Sequence, residues 1–407
     1  MSIKKFGLIG KTLKHSYSKI IHSALGDYPY ELYEIEEEQL ESFVKSDIDG
    51  FNVTIPYKKA VMKYLDEIDE SAKRIGAVNT VIKRNGKIYG YNTDFYGMVY
   101  MLQEAEITLS NKKVMILGTG GTGNTAKAVA EFLNAREIII VSRSGAVNYQ
   151  NYKEHKDTEI IINTTPVGMY PSVMNTPIDL ECFARLDGVA DVIYNPDKTV
   201  LTLSAKKKNI KAVNGLSMLV AQAKLAMELF LDEKVDDSII ERTVQKLRKE
   251  RRNLVLIGMP GCGKSTIGKA VASYLGKDFI DTDEEIVKRE GRSIPEIFET
   301  DGEDYFRKVE SEVLKEVCNG GGRVIATGGG IVKREENSLP MRLNGVVCWI
   351  RRPISKLATE GRPLSLNEQA LIKMYDERKD NYAKFSDAVI DNVTDIETAI
   401  KEVIKVI

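Results

Sequence analysis

A chain of 407 residues exceeds what one hydrophobic core usually organises, so two or three domains are expected. Its 58 basic and 59 acidic residues leave a formal net charge of -1, which gives no global pull toward nucleic acid or an anionic membrane. Four scattered cysteines, Cys182, Cys262, Cys318 and Cys348, suit neither a disulfide framework nor a zinc site. With no leader-like start and no apolar run of the roughly 20 residues a membrane span needs, a soluble cytoplasmic protein is expected.

The first hundred residues hold dense polar clusters: HSYS at 15–18, DGFNVTIPYK at 49–58, GAVNT at 76–80 and GYNTD at 90–94. Singly, each is an ordinary turn or cap. Together they suggest a pocket for a hydroxylated substrate. Lys58 and Asp94 stand out because reducing a ketone requires a proton donor at oxygen, which a lysine held by a carboxylate can supply. As a bare pair they equally describe a surface salt bridge.

Beyond residue 110, short apolar runs alternate with longer amphipathic ones: VMIL at 114–117, EIIIVS at 137–142, EIIINT at 159–164, LVLIG at 254–258, RVIAT at 323–327 and VVCWI at 346–350. This alternation predicts βα units around buried parallel sheets, an α/β fold. The run at 113–133 places Gly118, Gly120, Gly121 and Gly123 between strand and helix, where backbone amides can approach a pyrophosphate. A glycine turn alone is a weak signal. The next strand, however, runs into Arg143 where an acidic residue would mark NAD, and a guanidinium there suits the 2′-phosphate of NADP. NTTPVGM at 163–169 forms a loop at the carboxyl edge of the same sheet.

The segment 234–253 is charged, free of glycine and proline, and has Ile239, Ile240, Val244 and Leu247 at helical spacing. It reads as a linker at 233–252 with the domain junction near residue 250, and its KLRKERR stretch as a solvated helix face.

Residues 254–276 then contain Gly258, four residues, and Gly263-Lys264-Ser265 between a strand and a helix. This P-loop pattern is specific: its backbone, here including Gly261, Cys262 and Thr266, cradles the phosphates of a nucleotide, Lys264 reaches the terminal ones and Ser265 ligates Mg2+, an arrangement that GTPases, ATPases and small-molecule kinases share. DTD at 281–283 puts Asp281 near that metal and Asp283 where an acceptor hydroxyl could be bound and deprotonated. Either acid could also be a turn cap, and the P-loop alone names no acceptor.

Residues 3–232 resemble the shikimate dehydrogenase family through Ser16 and Ser18, NVTIPYK, GAVNT, NTD, GTGG, NTTPVGM, DVIYNP and GLSMLVAQAKLAMELF. The resemblance implies a substrate domain at 1–100 with a returning helix at 215–232, and a Rossmann NADP domain at 101–232. It implies that Ser16 and Ser18 hold the substrate carboxylate, that Thr54, Asn79, Asp94, Tyr194 and Gln222 surround the ring, and that Lys58 and Asp94 are catalytic. Asn163, Thr164, Gly215 and Met218 would lie near the cofactor with Gly118, Gly120, Gly121 and Arg143, although Met218 by itself is an ordinary core methionine. Two departures are visible: Lys19 replaces the usual proline after the serine pair, and SRS at 142–144 replaces Asn-Arg-Thr.

Residues 253–407 resemble shikimate kinase, in GRSIPEIFETDGEDYFRKVE, TGGG at 327–330 and GRPL at 361–364. That resemblance implies that Asp283, Arg307, Gly328, Gly329, Gly330 and Arg378 bind shikimate, that Glu310 steadies Arg307, and that Arg362 belongs to a lid over ATP. The implied reaction sequence is 3-dehydroshikimate to shikimate with NADPH, then phosphorylation with MgATP, so small-molecule substrates are the expected partners, without nucleic acid or membrane, and the sequence leaves oligomeric state open. A quinate-using dehydrogenase, or a regulatory protein with one inert nucleotide-binding half, are the alternatives.

Overall fold

The computed structural model describes residues 4–14, 16–357, 368–393 and 395–407. The chain divides into two compact units. The first comprises Met1–Met169, Asn175–Tyr194 and Thr199–Lys246, and the second Tyr170–Met174, Asn195–Lys198 and Leu247–Ile407.

Two sheets organise the first unit. β1 (Phe6–Gly10), β2 (Tyr30–Glu34), β3 (Gly50–Val53), β4 (Glu67–Ile68), β5 (Thr80–Arg84) and β6 (Lys87–Tyr91) lie in the order β2-β1-β3-β5-β6-β4. β1 is parallel to β2 and β3, whereas β5 is antiparallel to β3 and β6. This mixed sheet was not expected from the sequence. Its strands are only two to five residues long, and β2 (YELYE) presents mostly part-exposed polar positions.

The helix Leu216–Leu231 returns to cover this sheet. Phe230 stacks on Phe6 with ring centroids 4.9 Å apart, and a side chain at Gly50 would strike Phe230 at 2.8 Å. Burying such an aromatic contributes about 1.5–3 kcal/mol. The same helix packs on Thr93–Glu104, where Gly97 lets the backbones close: a Cβ there would meet the Met218 carbonyl at 2.5 Å.

β7 (Lys113–Leu117), β8 (Glu137–Val141), β9 (Ile160–Asn163), β10 (Gly188–Asp191) and β11 (Lys211–Val213) form the second sheet, parallel throughout, in the order β11-β10-β9-β7-β8. β7 and β9 are wholly buried, as uninterrupted aliphatic runs demand.

The expected linker is structured. Lys224 Nζ bonds Glu228 at 2.8 Å and Asp237 at 2.7 Å, Val235 N donates to Glu228, and Ile240 and Val244 are buried, so residues 233–246 belong to the first unit. The helix Ser238–Arg251 crosses the unit boundary after Lys246, a few residues before the anticipated junction.

In the second unit, β12 (Asn253–Ile257), β13 (Asp278–Asp281), β14 (Arg323–Ala326), β15 (Gly345–Arg351) and β16 (Ala388–Asp391) make another all-parallel sheet, ordered β13-β14-β12-β15-β16. The central strand β12 is fully buried. The helical run Ile294–Cys318 breaks at Gly302, whose φ of 82° no other residue adopts readily. Among the described residues no helix is long and apolar enough to cross a membrane. The four cysteines are free thiols.

Candidate active sites

The polar clusters of the first hundred residues converge on one cavity of about 280 Å³. Ser16, Ser18, Thr54, Lys58, Asn79, Asp94, Tyr194 and Gln222 all line it. Ser16 and Ser18 bracket the start of the helix Ser18–Leu25, with Ser18 N donating to Ser16 Oγ at 3.2 Å. Thr54 follows β3, and its N–H donates to the Ile9 carbonyl at 2.9 Å. Asp94 sits in the first turn of Thr93–Glu104, and Gln222 projects from the returning helix.

Lys58 Nζ donates to Asp94 Oδ2 at 2.6 Å, with only 25% and 17% of the two side chains exposed. Partial burial weakens solvent screening, so the carboxylate fixes the ammonium at the cavity wall. Asn79 Oδ1 accepts from Thr93 N at 2.7 Å and from the Thr80 and Thr93 hydroxyls. Its amide oxygen is thereby committed, which leaves the NH2 to serve as a donor. Tyr194 meets Tyr17 edge to face at 5.2 Å, and burial raises its phenol above the ordinary range.

Asn52, Tyr17 and Lys14 also line the cavity and escaped the sequence reading. Asn52 was legible in principle, being an amide inside the buried strand GFNV. Its Oδ1 accepts from Tyr30 OH at 2.7 Å and its Nδ2 donates to Thr80 Oγ1 at 2.9 Å, so it braces Asn79.

At the first glycine turn, Gly118 has φ 107° and lies against Thr164, where a Cβ would meet Oγ1 at 2.8 Å. Added side chains at Gly120 and Gly121 would meet nothing within 4 Å, and the helix Gly121–Phe132 begins there. Open space above amides at a helix start fits a dinucleotide pyrophosphate. Arg143 is exposed just past the end of β8.

Asn163 lies at the end of β9, beside the Gly118 turn through its neighbour Thr164. It is completely buried, and both ends of its amide are used within the protein: Nδ2 on Asp191 and Oδ1 on Thr165 N and Oγ1. Its side chain shapes the loop and is not free to hold a cofactor. Thr164 is likewise tied to the Leu117 carbonyl at 2.7 Å. Gly215 abuts Val192, whose carbonyl oxygen would lie 2.0 Å from an added Cβ, and Met218 is a core residue at 7% exposure.

The second unit has its own cavity of about 290 Å³. Gly261, Lys264, Ser265, Asp281, Asp283, Arg307, Glu310, Gly328, Gly329, Gly330 and Arg378 contribute to its wall. Gly263 takes φ 100°, ahead of the helix Lys264–Leu275, as a phosphate-cradling loop requires. Lys264 Nζ bonds the Gly258 and Met259 carbonyls at 2.9 and 3.0 Å, and Ser265 Oγ donates to Asp281 Oδ2 at 2.6 Å. A hydroxyl beside a carboxylate at the P-loop is a donor set that fits Mg2+. Cys262 is buried, so only its backbone can face phosphate, whereas Thr266 is exposed in the first helical turn.

Arg307 Nη1 donates to Glu310 Oε2 at 2.7 Å, and its other edge engages Glu303 at 3.1–3.2 Å. Its guanidinium lies over Gly330, where a Cβ would come within 2.2 Å of Nη1. Arg378 Nη1 donates to the Gly329 carbonyl at 2.9 Å. Asp283 is half-buried, yet its Oδ1 is shut off from solvent and makes no hydrogen bond among the described residues. Burial, then repulsion from Asp281 and Glu310, pushes its carboxyl from an ordinary 3.8 to about 6. Burial also raises Glu310. Arg362 lies outside the described residues.

A ketone-sized polar cavity with a lysine–carboxylate pair on a fold with a parallel dinucleotide-type sheet defines a nicotinamide-dependent oxidoreductase. The P-loop unit, with a half-buried acid in an arginine-lined acceptor pocket, defines a small-molecule phosphotransferase. Comparison with known proteins sharpens both classes. Residues 8–81 match the model of the shikimate dehydrogenase substrate binding domain, and residues 260–407 that of shikimate kinase. The chain is 39% identical over 259 residues to the NADP(+) shikimate dehydrogenase of Clostridium beijerinckii, covering 58% of this chain and 95% of that protein. It is 40% identical over 271 residues to the corresponding enzyme of Methanococcus maripaludis, covering 59% and 96%. A chorismate mutase/shikimate 5-dehydrogenase fusion from Clostridium acetobutylicum superposes with a TM-score of 0.58 at 35% identity, over 61% of this chain and 97% of that one. The chain belongs to the shikimate dehydrogenase family and carries a shikimate kinase domain after it. It is a bifunctional shikimate-pathway enzyme that uses NADP and ATP.

Proposed function

We propose that the first unit reduces 3-dehydroshikimate to shikimate at the Lys58–Asp94 cavity, and that the second phosphorylates the shikimate 3-hydroxyl. The contact that carries the first half is Lys58 Nζ to Asp94 Oδ2 at 2.6 Å, inside a cavity whose other walls are hydroxyls and amides. NADPH supplies the hydride when bound. Lys58 gives its proton to the ketone oxygen as the carbon is reduced, and Asp94 holds the ammonium in line. Ser16 and Ser18 accommodate the carboxylate, with Thr54, Asn79, Tyr194 and Gln222 around the ring. Gly118, Gly120, Gly121 and Arg143 hold the cofactor.

In the second unit, Asp283 orients the acceptor hydroxyl and takes its proton, a role favoured by a carboxyl near 6. Arg307, steadied by Glu310, and Arg378 grip the substrate carboxylate, a task suited to guanidinium. Lys264 faces the transferring phosphoryl, and Ser265 with Asp281 would hold Mg2+, whose charge offsets that of the phosphates when it is bound. Residues 1–100 with 215–232 form the substrate domain, 101–232 the NADP domain and 253–407 the kinase, and the reactions belong in the cytoplasm.

The test is to incubate the full-length chain with 3-dehydroshikimate, NADPH and MgATP and identify products by mass. Shikimate 3-phosphate with ATP, and shikimate without it, is the expected outcome. Shikimate accumulating despite ATP would overturn the kinase assignment, and neither product would overturn that of the dehydrogenase.

A further inference from the structure

The substrate cavity and the cofactor-side loop are built on different segments of the first unit, and one fully buried residue outside both binding sets ties them together. Asp191, at the end of β10, is completely shielded from solvent. Its Oδ1 accepts from Asn163 Nδ2 at 3.0 Å and from Ile193 N at 3.1 Å. Its Oδ2 accepts from Thr199 Oγ1 at 2.7 Å, at the cap of the helix Val200–Lys207.

Two of the partners, Asn163 and Ile193, lead to different parts of the site. Asn163 closes the 163–165 turn through Thr165, next to Thr164 and the Gly118 turn. Ile193 precedes Tyr194, which lines the cavity against Tyr17, and the Ile193 carbonyl accepts from Gly215 N at 3.0 Å. Gly215 opens the helix that carries Met218 and Gln222. Val192 N adds a backbone bond to the Asn163 carbonyl, also at 3.0 Å.

This arrangement is costly to keep. Burial raises the Asp191 carboxyl to about 6 although all three hydrogen bonds pull it down. A core built only for stability would be served by an apolar residue at this position. Two of the three donors it collects, Asn163 Nδ2 and Ile193 N, come instead from the segments that must be aligned for hydride transfer, and the third caps the helix Val200–Lys207.

We propose that Asp191 is a positioning residue of the dehydrogenase, which locks the 163–165 loop to the 192–194 loop and so fixes the substrate cavity relative to the nicotinamide-side turn. The proposal rests on the dehydrogenase reading of the first unit. Removing the carboxyl leaves Asn163 Nδ2 and Ile193 N without their acceptor and takes from Thr199 Oγ1 the shorter of its two bonds, the other being to Thr202 Oγ1 at 3.3 Å. Displacing reacting atoms by about 1 Å can cost on the order of 100-fold in rate. Asparagine can replace the acid: its oxygen keeps the Asn163 and Ile193 bonds, while its NH2 can donate to the Thr199 hydroxyl, which has acceptor capacity.

The experiment compares Asp191→Ala, Asp191→Asn and Asn163→Ala with the double variant Asp191→Ala/Asn163→Ala, all in the full chain. Reduction of 3-dehydroshikimate is read with NADPH and with NADPH deuterated at the transferred position, and phosphorylation of shikimate reports the integrity of the other unit. Asp191→Ala should lower kcat by roughly 100-fold with each KM changed less than about threefold, and its deuterium isotope effect should rise as hydride transfer becomes limiting. Asp191→Asn should recover kcat to within about threefold, and the double variant should be no worse than the poorer single one. Unchanged kcat in Asp191→Ala, failure of Asp191→Asn to rescue, or additive losses in the double variant would overturn the proposal. If Asp191→Ala does not fold, Asp191→Asn and Asn163→Ala still decide it: the former must be active and the latter slow with a raised isotope effect. Wild-type chain that reduces no 3-dehydroshikimate would instead sink the dehydrogenase reading.

Discussion

Replacing Asp283 by asparagine should abolish phosphorylation while making the second unit more stable. The native carboxyl titrates near 6 instead of 3.8, because burial and the neighbouring Asp281 and Glu310 disfavour its charge. A raised native value means that the folded state retains a proton which the unfolded chain has already lost. Stability therefore declines as pH rises from about 4 to about 6 and levels off above. Two pKa units at about 1.4 kcal/mol each set a ceiling near 3 kcal/mol, and because the residue opens onto a cavity about 1–3 kcal/mol is expected at pH 7. The asparagine variant escapes that penalty. The sole tryptophan, Trp349, is 6% exposed within β15 and stacks on Tyr382, so its fluorescence follows unfolding of this unit. With a urea slope of about 2 kcal/mol per molar, the midpoint at pH 7 should rise by about 0.5–1.5 M, and the gain should vanish near pH 4. Kinase kcat should fall by about 100- to 10,000-fold. A midpoint at pH 7 no higher than wild type, or a gain that persists at pH 4, would refute the reasoning.

Further outcomes test the remaining assignments. Lys58→Ala should remove reduction by about 100-fold or more while leaving phosphorylation intact, and Lys264→Ala should do the reverse, as read by separate NADPH-oxidation and ADP-release assays. Loss of both activities in either folded variant would contradict independent sites. Arg143→Gln should raise the KM for NADPH about 10-fold or more and leave that for NADH nearly unchanged, since a charged hydrogen bond contributes about 1.5–3 kcal/mol. Gly328→Ala places a methyl 2.7 Å from Asp283 Oδ1 and 2.8 Å from Glu310 Oε1. Crowding of this kind costs about 1–3 kcal/mol, so the KM for shikimate should rise about 10-fold with that for ATP little altered.

What could be read from the sequence divides along physical lines. The buried parallel strands of the second and third sheets are continuous aliphatic runs, and all six singled-out runs coincide with strands. The mixed N-terminal sheet stayed invisible because its strands are only two to five residues long and some, such as β2, are part-exposed without a clear period, although β1 and β3 are wholly buried. Local chemistry was legible where backbone geometry dictates the residue, as at Gly118 and Gly263. Other roles depend on neighbours far along the chain. The Asn163 amide is held by Asp191, 28 residues later, a partner that no local pattern announces. Asn52 enters the cavity wall only because Tyr30 and Thr80 hold its amide. The segment after residue 232 looked like a linker because its charge was visible, whereas the acceptors for Lys224 and the buried faces of Ile240 and Val244 required the fold.

The close approach of Thr93–Glu104 and Leu216–Leu231 at Gly97 also bears on the order in which the molecule can be made. Thr93 and Gln222 meet across 129 residues of sequence. A ribosome delivers the whole six-stranded sheet, with Lys58 and Asp94, and then the entire parallel sheet of the cofactor side before the helix that covers the first sheet can dock. Until then Phe6 and its neighbours lack their cover. The nascent chain must carry that exposed apolar face through synthesis of the intervening segment, which makes this interval its period of greatest vulnerability to aggregation and to chaperone capture.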